Sequence, residues 1–67
     1  MSNEYHTFVE ILKGQPEYRM SRVDLSKEMS RRRAMGFGVE IDDIISVFVE
    51  KGLANYDHET DTVTYTQ

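Results

Sequence analysis

Three consecutive arginines, Arg31, Arg32 and Arg33, are the first residues in this 67-residue chain whose type and spacing point to chemistry. Guanidinium groups grip phosphates and carboxylates through paired, planar donors. With Arg19, Arg22 and Lys27 they place six bases against two acids, Asp24 and Glu28, in residues 19–35. The flanking segments are acidic. Residues 1–18 hold one base against three acids, and residues 36–67 one against seven, within a total charge of −4. This segregation fits a surface for an anionic partner. It equally fits pairing inside the fold between basic and acidic thirds, where each ion pair contributes little. Consecutive helical residues are about 100° apart, so at most two of the three arginines share one contact face.

Other chemistry is sparse. His58 lies among Asp57, Glu59 and Asp61, and His6 is the second of the two histidines. That acidic cluster has neither zinc-motif spacing nor the central glycine and terminal glutamate of an EF-hand, so it reads as a solvated turn. The absence of cysteine excludes disulfides, thiolate zinc sites and cysteine nucleophiles. Ser21, Ser26, Ser30 and Ser46 have no histidine near them in sequence. Gly36-Phe37-Gly38 lacks the lysine and preceding strand of a phosphate loop. So short a chain also has little volume for a substrate pocket of ~300 Å³ or more. The expectation is a protein that is not an enzyme and takes no metal or cofactor.

Positioning these residues requires a fold, and 67 residues make one domain over 1–67. Hydrophobic content of 39% with 30% charged residues fits a small globule. A domain of this size buries only about 60% of its unfolded surface, and without staples it packs efficiently or gains burial by dimerising. No apolar run reaches the ~18 residues of a membrane span, and Met1–Tyr5 shows no signal-peptide pattern. A cytoplasmic protein without membrane contact is expected.

Tyr5, Phe8, Val9 and Leu12 form an i, i+3, i+4, i+7 stripe, so a first helix is expected, capped by Ser2 or Asn3 and stopped at Gly14-Gln15-Pro16. Glu17 to Met20 reads as an extended link with Tyr18 and Met20 on one face. Ser21 and Asp24 form a loose capping box for a second helix, which carries Val23, Leu25 and Met29 and closes on the arginine triplet. In Met35-Gly36-Phe37-Gly38 the glycines turn the chain and Phe37 is expected in the core. Ile41, Ile44, Ile45 and Phe48 repeat the helical stripe up to Gly52. Val39, Val47 and Val49 favour a strand by propensity, but the length of the segment decides for a helix. They widen its apolar surface, as in a central helix or one at a dimer interface. Met20, Met29 and Met35 read as core fillers. Leu53–Tyr56 and Thr62–Thr66, around the polar turn 57–61, read as a terminal hairpin.

This order of elements resembles the winged helix-turn-helix superfamily. Ser21 to Met29 looks like its second helix. Phe48-Val49-Glu50-Lys51-Gly52-Leu53-Ala54-Asn55-Tyr56 looks like its third helix entering the wing, with Val63 and Tyr65 on the returning strand. The resemblance implies an α+β fold of three helices with a C-terminal two-stranded β-hairpin. It also implies a DNA-binding transcriptional regulator, often dimeric, on double-stranded DNA. In that superfamily the third helix and wing meet DNA; here the basic window would supply the phosphate contacts, through Arg22, Lys27, Arg31, Arg32 and Arg33. Acidity departs from that pattern: Glu40, Asp42 and Asp43 open the third helix, and Asp57, Glu59 and Asp61 lie in the wing. Each would face a polyanion whose neutralisation supplies most non-specific affinity. The alternative is a protein-interaction module, or a small inhibitor, that uses these six carboxylates to bind a basic protein partner.

Overall fold

The computed structural model describes residues 4–66. The Ser2 or Asn3 cap expected for the first helix lies outside the described residues. Helix α1 spans Glu4–Lys13, α2 Arg22–Arg31 and α3 Ile41–Glu50, while strands β1, β2 and β3 span Arg19–Ser21, Ala54–Asp57 and Thr62–Tyr65. A short 3₁₀ turn, Pro16–Tyr18, lies between α1 and β1. The architecture is α+β, compatible with a winged-helix-like arrangement.

The apolar periodicity builds the core. Phe8, Ile11 and Leu12 of α1 pack against Leu25 and Met29 of α2 and Ile41, Ile44, Ile45 and Phe48 of α3. The buried face of α1 therefore includes Ile11, whereas Tyr5 stays 45% exposed at the rim. Phe8 and Phe48 stack at 4.4 Å between ring centroids, and Tyr5 meets Phe48 edge-on at 5.7 Å. The long β-branched segment is helical because its isoleucines and Phe48 all fall on one buried face. Met29 is fully buried, and Met20 and Met35 are half-buried against the core.

The sheet has three strands, not two, in the order β1-β3-β2 with antiparallel pairing throughout. Val63, fully buried, faces Met20 on one side and Tyr56 on the other. An isolated hairpin is marginal in water, and β1 covers its otherwise open β3 edge. The extended link begins only at Arg19. Glu17 and Tyr18 take left-handed φ values of 59° and 57°, which swing the chain from α1 into β1. Tyr18 is exposed, so it does not share the inward face of Met20.

Helix ends follow the sequence signals. The Ser21 hydroxyl accepts from Asp24 N–H at 3.0 Å. At the end of α3, Leu53 N–H donates to the Phe48 carbonyl and Gly52 N–H to that of Val49, a Schellman closure with Gly52 at φ 76°. The end of α2 closes identically, from Ala34 to Met29 and from Arg33 to Ser30. Here the left-handed residue is Arg33, at φ 55°. That conformation costs an L-residue roughly 1 kcal/mol, and glycine's freedom in the unfolded chain returns part of it. Arg33→Gly is therefore expected to stabilise the domain by about 0.5 kcal/mol. A thermal melt checks this; an unchanged or lower Tm would show that the Arg33 side chain contributes more than its backbone loses.

One expectation fails outright. Phe37 is in solvent, at 109% exposure, not in the core. The interior is already filled by the three helical stripes. The loop is also held at Gly36, whose N–H donates to Glu4 Oε2 at 2.7 Å, so the next residue points away.

Candidate functional site

Arg22 is the first residue of α2, and its place is fixed by the strand before it and the hairpin beside it. Its N–H donates to the Asp61 carbonyl at 2.8 Å, and its Nε donates to Asp61 Oδ1, also at 2.8 Å. The Tyr56 hydroxyl donates to the same oxygen. Asp42 Oδ1 lies 3.7 Å from the Arg22 guanidinium. One arginine thus joins α2, the β2–β3 turn, β2 and the start of α3. The hydrogen bonds from Arg22 and then Tyr56 hold the Asp61 carboxyl below its ordinary value, and Asp61 raises both partners.

The arginine triplet divides. Arg31 donates to Glu28 through Nε at 3.0 Å, and Arg32 Nε donates to Glu28 at 2.9 Å. Arg32 also reaches Glu10 on α1 at 3.2 Å. With these two cations on it, led by the bonds from Arg31, Glu28 falls from 4.5 to about 2. Arg33 and Lys27 are exposed and have no ion-pair partner among the described residues. Arg22 stands at the opposite end of the ten-residue α2, roughly 15 Å along its axis. The five basic residues therefore do not form one patch, and three of them already hold carboxylates.

The six acidic residues also separate by role. Asp43 accepts from the Glu40 N–H at 3.3 Å and closes the start of α3. Asp57 Oδ1 accepts from Glu59 N–H at 2.9 Å and shapes the hairpin turn. Asp61 belongs to Arg22. Glu40 completes the capping box with Asp43, its side chain accepting from Asp43 N–H, while Asp42 sits beside Arg22 yet stays 69% exposed and Glu59 is exposed.

Between α3 and the hairpin runs an open groove that sequence reading does not reveal. Arg22, Asp42, Ile45, Ser46, Tyr56 and His58 line a part of about 420 Å³. The adjoining part, about 440 Å³, shares Ile45, Ser46, Tyr56 and His58 and adds Val49 and Glu50. Tyr56 and His58 meet edge-on at 4.9 Å and form one wall. The signal available in sequence is Ser46 and Val49, three apart on the side of α3 away from Ile44 and Phe48. No family model, curated protein or solved structure matches this chain. Function must be read from this surface. Its floor is apolar and aromatic, its rim carries Asp42 and Glu50, and its only arginine is already held by Asp61.

Proposed function

We propose that this domain is a protein-interaction module on a winged-helix-like scaffold, and that the groove between α3 and the β2–β3 hairpin takes a basic segment of a partner protein. The observation that carries this reading is the Asp42–Arg22–Asp61 arrangement. Arg22, the arginine that lines the groove, is committed to Asp61 and Asp42 inside the molecule, which leaves Asp42 69% exposed and Glu50 exposed on that face. A basic side chain brings charge to Asp42 and Glu50 while its aliphatic stem covers Ile45 and Val49. Duplex DNA would meet those same carboxylates at the position where this kind of scaffold offers its third helix.

A second reading rests on Lys27 and on Arg33 just past the end of α2, which are exposed, have no ion-pair partner among the described residues and remain available to phosphate. One titration separates the two. Isotope-labelled protein is mixed at low salt with an arginine- and lysine-rich peptide, then with a short DNA duplex. The peptide is expected to shift amides of α3 and β2, and the duplex to leave the spectrum unchanged. Asp42→Lys with Glu50→Lys is expected to weaken peptide binding about tenfold or more, since like charges then face each other. Asp43 is kept because it closes α3. Duplex binding that falls steeply with salt, with shifts at the end of α2, would establish DNA docking instead.

A further inference from the structure

The turn between α2 and α3 presents one peptide bond to an endoprotease. Gly36, Phe37 and Gly38 are all exposed, and the Val39 N–H donates to the Gly36 carbonyl at 3.1 Å. The Phe37–Gly38 bond is therefore the central peptide of a four-residue turn, with Gly38 at φ 81°. A Cβ at Gly38 would meet no atom within 4 Å, so the space beside the bond is open. Phe37 marks the bond chemically, because its ring stands wholly in solvent and belongs to no part of the core.

Residue type alone would place a cut at the arginines, and their hydrogen bonds oppose it. The amide nitrogens that follow Arg31, Arg32 and Arg33 are those of Arg32, Arg33 and Ala34. They donate to the carbonyls of Glu28, Ser30 and Met29 at 3.0, 2.9 and 2.9 Å. Ala34 is also buried. A protease takes its segment detached from the fold, so a cut there first requires the end of α2 to unwind. Tyr5 and Tyr18 are exposed aromatics too, but Tyr5 lies within α1 and Tyr18 leads directly into β1.

The two sides of the Phe37–Gly38 bond interlock. Residues 4–37 supply α1, β1 and α2, and residues 38–66 supply α3, β2 and β3. Strand β1 pairs with β3, Phe8 stacks on Phe48, and Arg22 bonds Asp61, each across the cut. Severing the bond leaves every element intact and removes the tether between the halves. A short tether supplies an effective concentration in the mM range, and a core this small gives a folding constant of about a thousand, so the cut halves hold each other with a dissociation constant of about 1 μM.

We infer that Phe37–Gly38 is a cleavage site for an endoprotease that recognises an aromatic side chain, and that the cut domain stays folded only while its halves are concentrated. Water adds across the bond, leaving a carboxylate on Phe37 and an ammonium on Gly38. Cleavage turns a fold that is independent of concentration into one that dilution destroys.

Chymotrypsin, which takes aromatic residues, and trypsin, which takes lysine and arginine, test the site on the folded chain, with products weighed by mass spectrometry. Each rate is divided by the same enzyme's rate on an unstructured peptide of residues 28–44. On that scale the chymotrypsin cut into 1–37 and 38–67 is expected to come first, about tenfold or more faster than any trypsin cut at the eight basic positions. Phe37→Ala is expected to lose this first cut. After the enzyme is inhibited, the cut protein is expected to elute as one body at about 100 μM and as two fragments at about 0.1 μM. A first cut elsewhere, an equal trypsin rate at the arginines, or wild-type cleavage of this loop in Phe37→Ala would overturn the site. Halves that separate at the higher concentration, or stay together at the lower, would overturn the dependence of the cut fold on concentration.

Discussion

Phe48→Ala is expected to leave the chain largely unfolded at 25 °C. Phe48 sits where three parts of the core meet. It stacks on Phe8 of α1, takes the edge of Tyr5, and lies 6.5 Å from the ring of Tyr65 on β3. Truncating a buried phenylalanine costs about 3–5 kcal/mol through lost transfer energy and the cavity left behind. A single core in a chain this small supplies rarely more than 3–5 kcal/mol of net stability. The loss and the total are equal in size, so the folded population collapses. Circular dichroism at 25 °C and a urea titration measure it. Phe48→Leu refills much of the cavity and is expected to remain folded with a lower midpoint. Phe37→Ala is the opposite control: that ring touches no core, so its melt is expected to match the wild type. A cooperative melt for Phe48→Ala near the wild-type temperature would mean that the three-helix interior closes over the gap.

The contrast between these two phenylalanines shows what sequence carries and what it withholds. Phe48 belongs to a stripe with Ile41, Ile44 and Ile45, and periodicity alone assigns it inward. The same rule recovers all three helices, and capping chemistry recovers their ends at Ser21 and Gly52. Phe37 belongs to no stripe. Its direction depends on whether space remains once the helices have packed and on the hydrogen bond between Gly36 and Glu4, thirty-two residues away. Strand β1 is legible only as an extended link at Arg19 and Met20: three residues have no period to detect, and Arg19–Ser21 becomes a paired strand only because the β3 edge is free.

Charge is legible as composition but not as geometry. The sequence separates a basic window from acidic flanks, and the structure resolves that window in both ways at once. Arg22 crosses thirty-nine residues to Asp61, and Arg32 crosses twenty-two to Glu10, while Arg33 and Lys27 stay open to solvent. Residue type cannot distinguish these cases, because each guanidinium is equally able to find a carboxylate. Position on the helix decides. Glu28 lies three and four residues before Arg31 and Arg32, within reach on the helix surface, whereas Arg33 has already left the helix in a left-handed turn.

Asp61→Asn is expected to loosen the hairpin from the helices and to flatten the acid branch of the stability curve. Asparagine is the informative replacement because residue 61 has φ 54°, a conformation that asparagine tolerates and alanine does not. The backbone bond from Arg22 N–H to residue 61 survives, so the change reports on the carboxylate. Its folded-state value is lowered by Arg22 and Tyr56. The stability it contributes is therefore complete above its ordinary value of 3.8 and is lost as pH falls through the lowered one. Glu28 acts in the same direction, between 4.5 and about 2, but it joins α2 mainly to itself. Urea midpoints of the wild type are then expected to drop from about pH 4.5 downward. Glu28→Gln is expected to remove part of that slope with little change at pH 7. Asp61→Asn is expected to lower the neutral plateau more than Glu28→Gln does, since Arg22 and Tyr56 both lose the charged acceptor they share. Amide exchange places the effect: β2 and β3 are expected to exchange faster in Asp61→Asn, with α1 unchanged. If the hairpin amides of Asp61→Asn keep wild-type protection, the sheet is held by Val63 and its strand partners, and the Arg22–Asp61–Tyr56 cluster contributes charge placement to the groove and nothing to its rigidity.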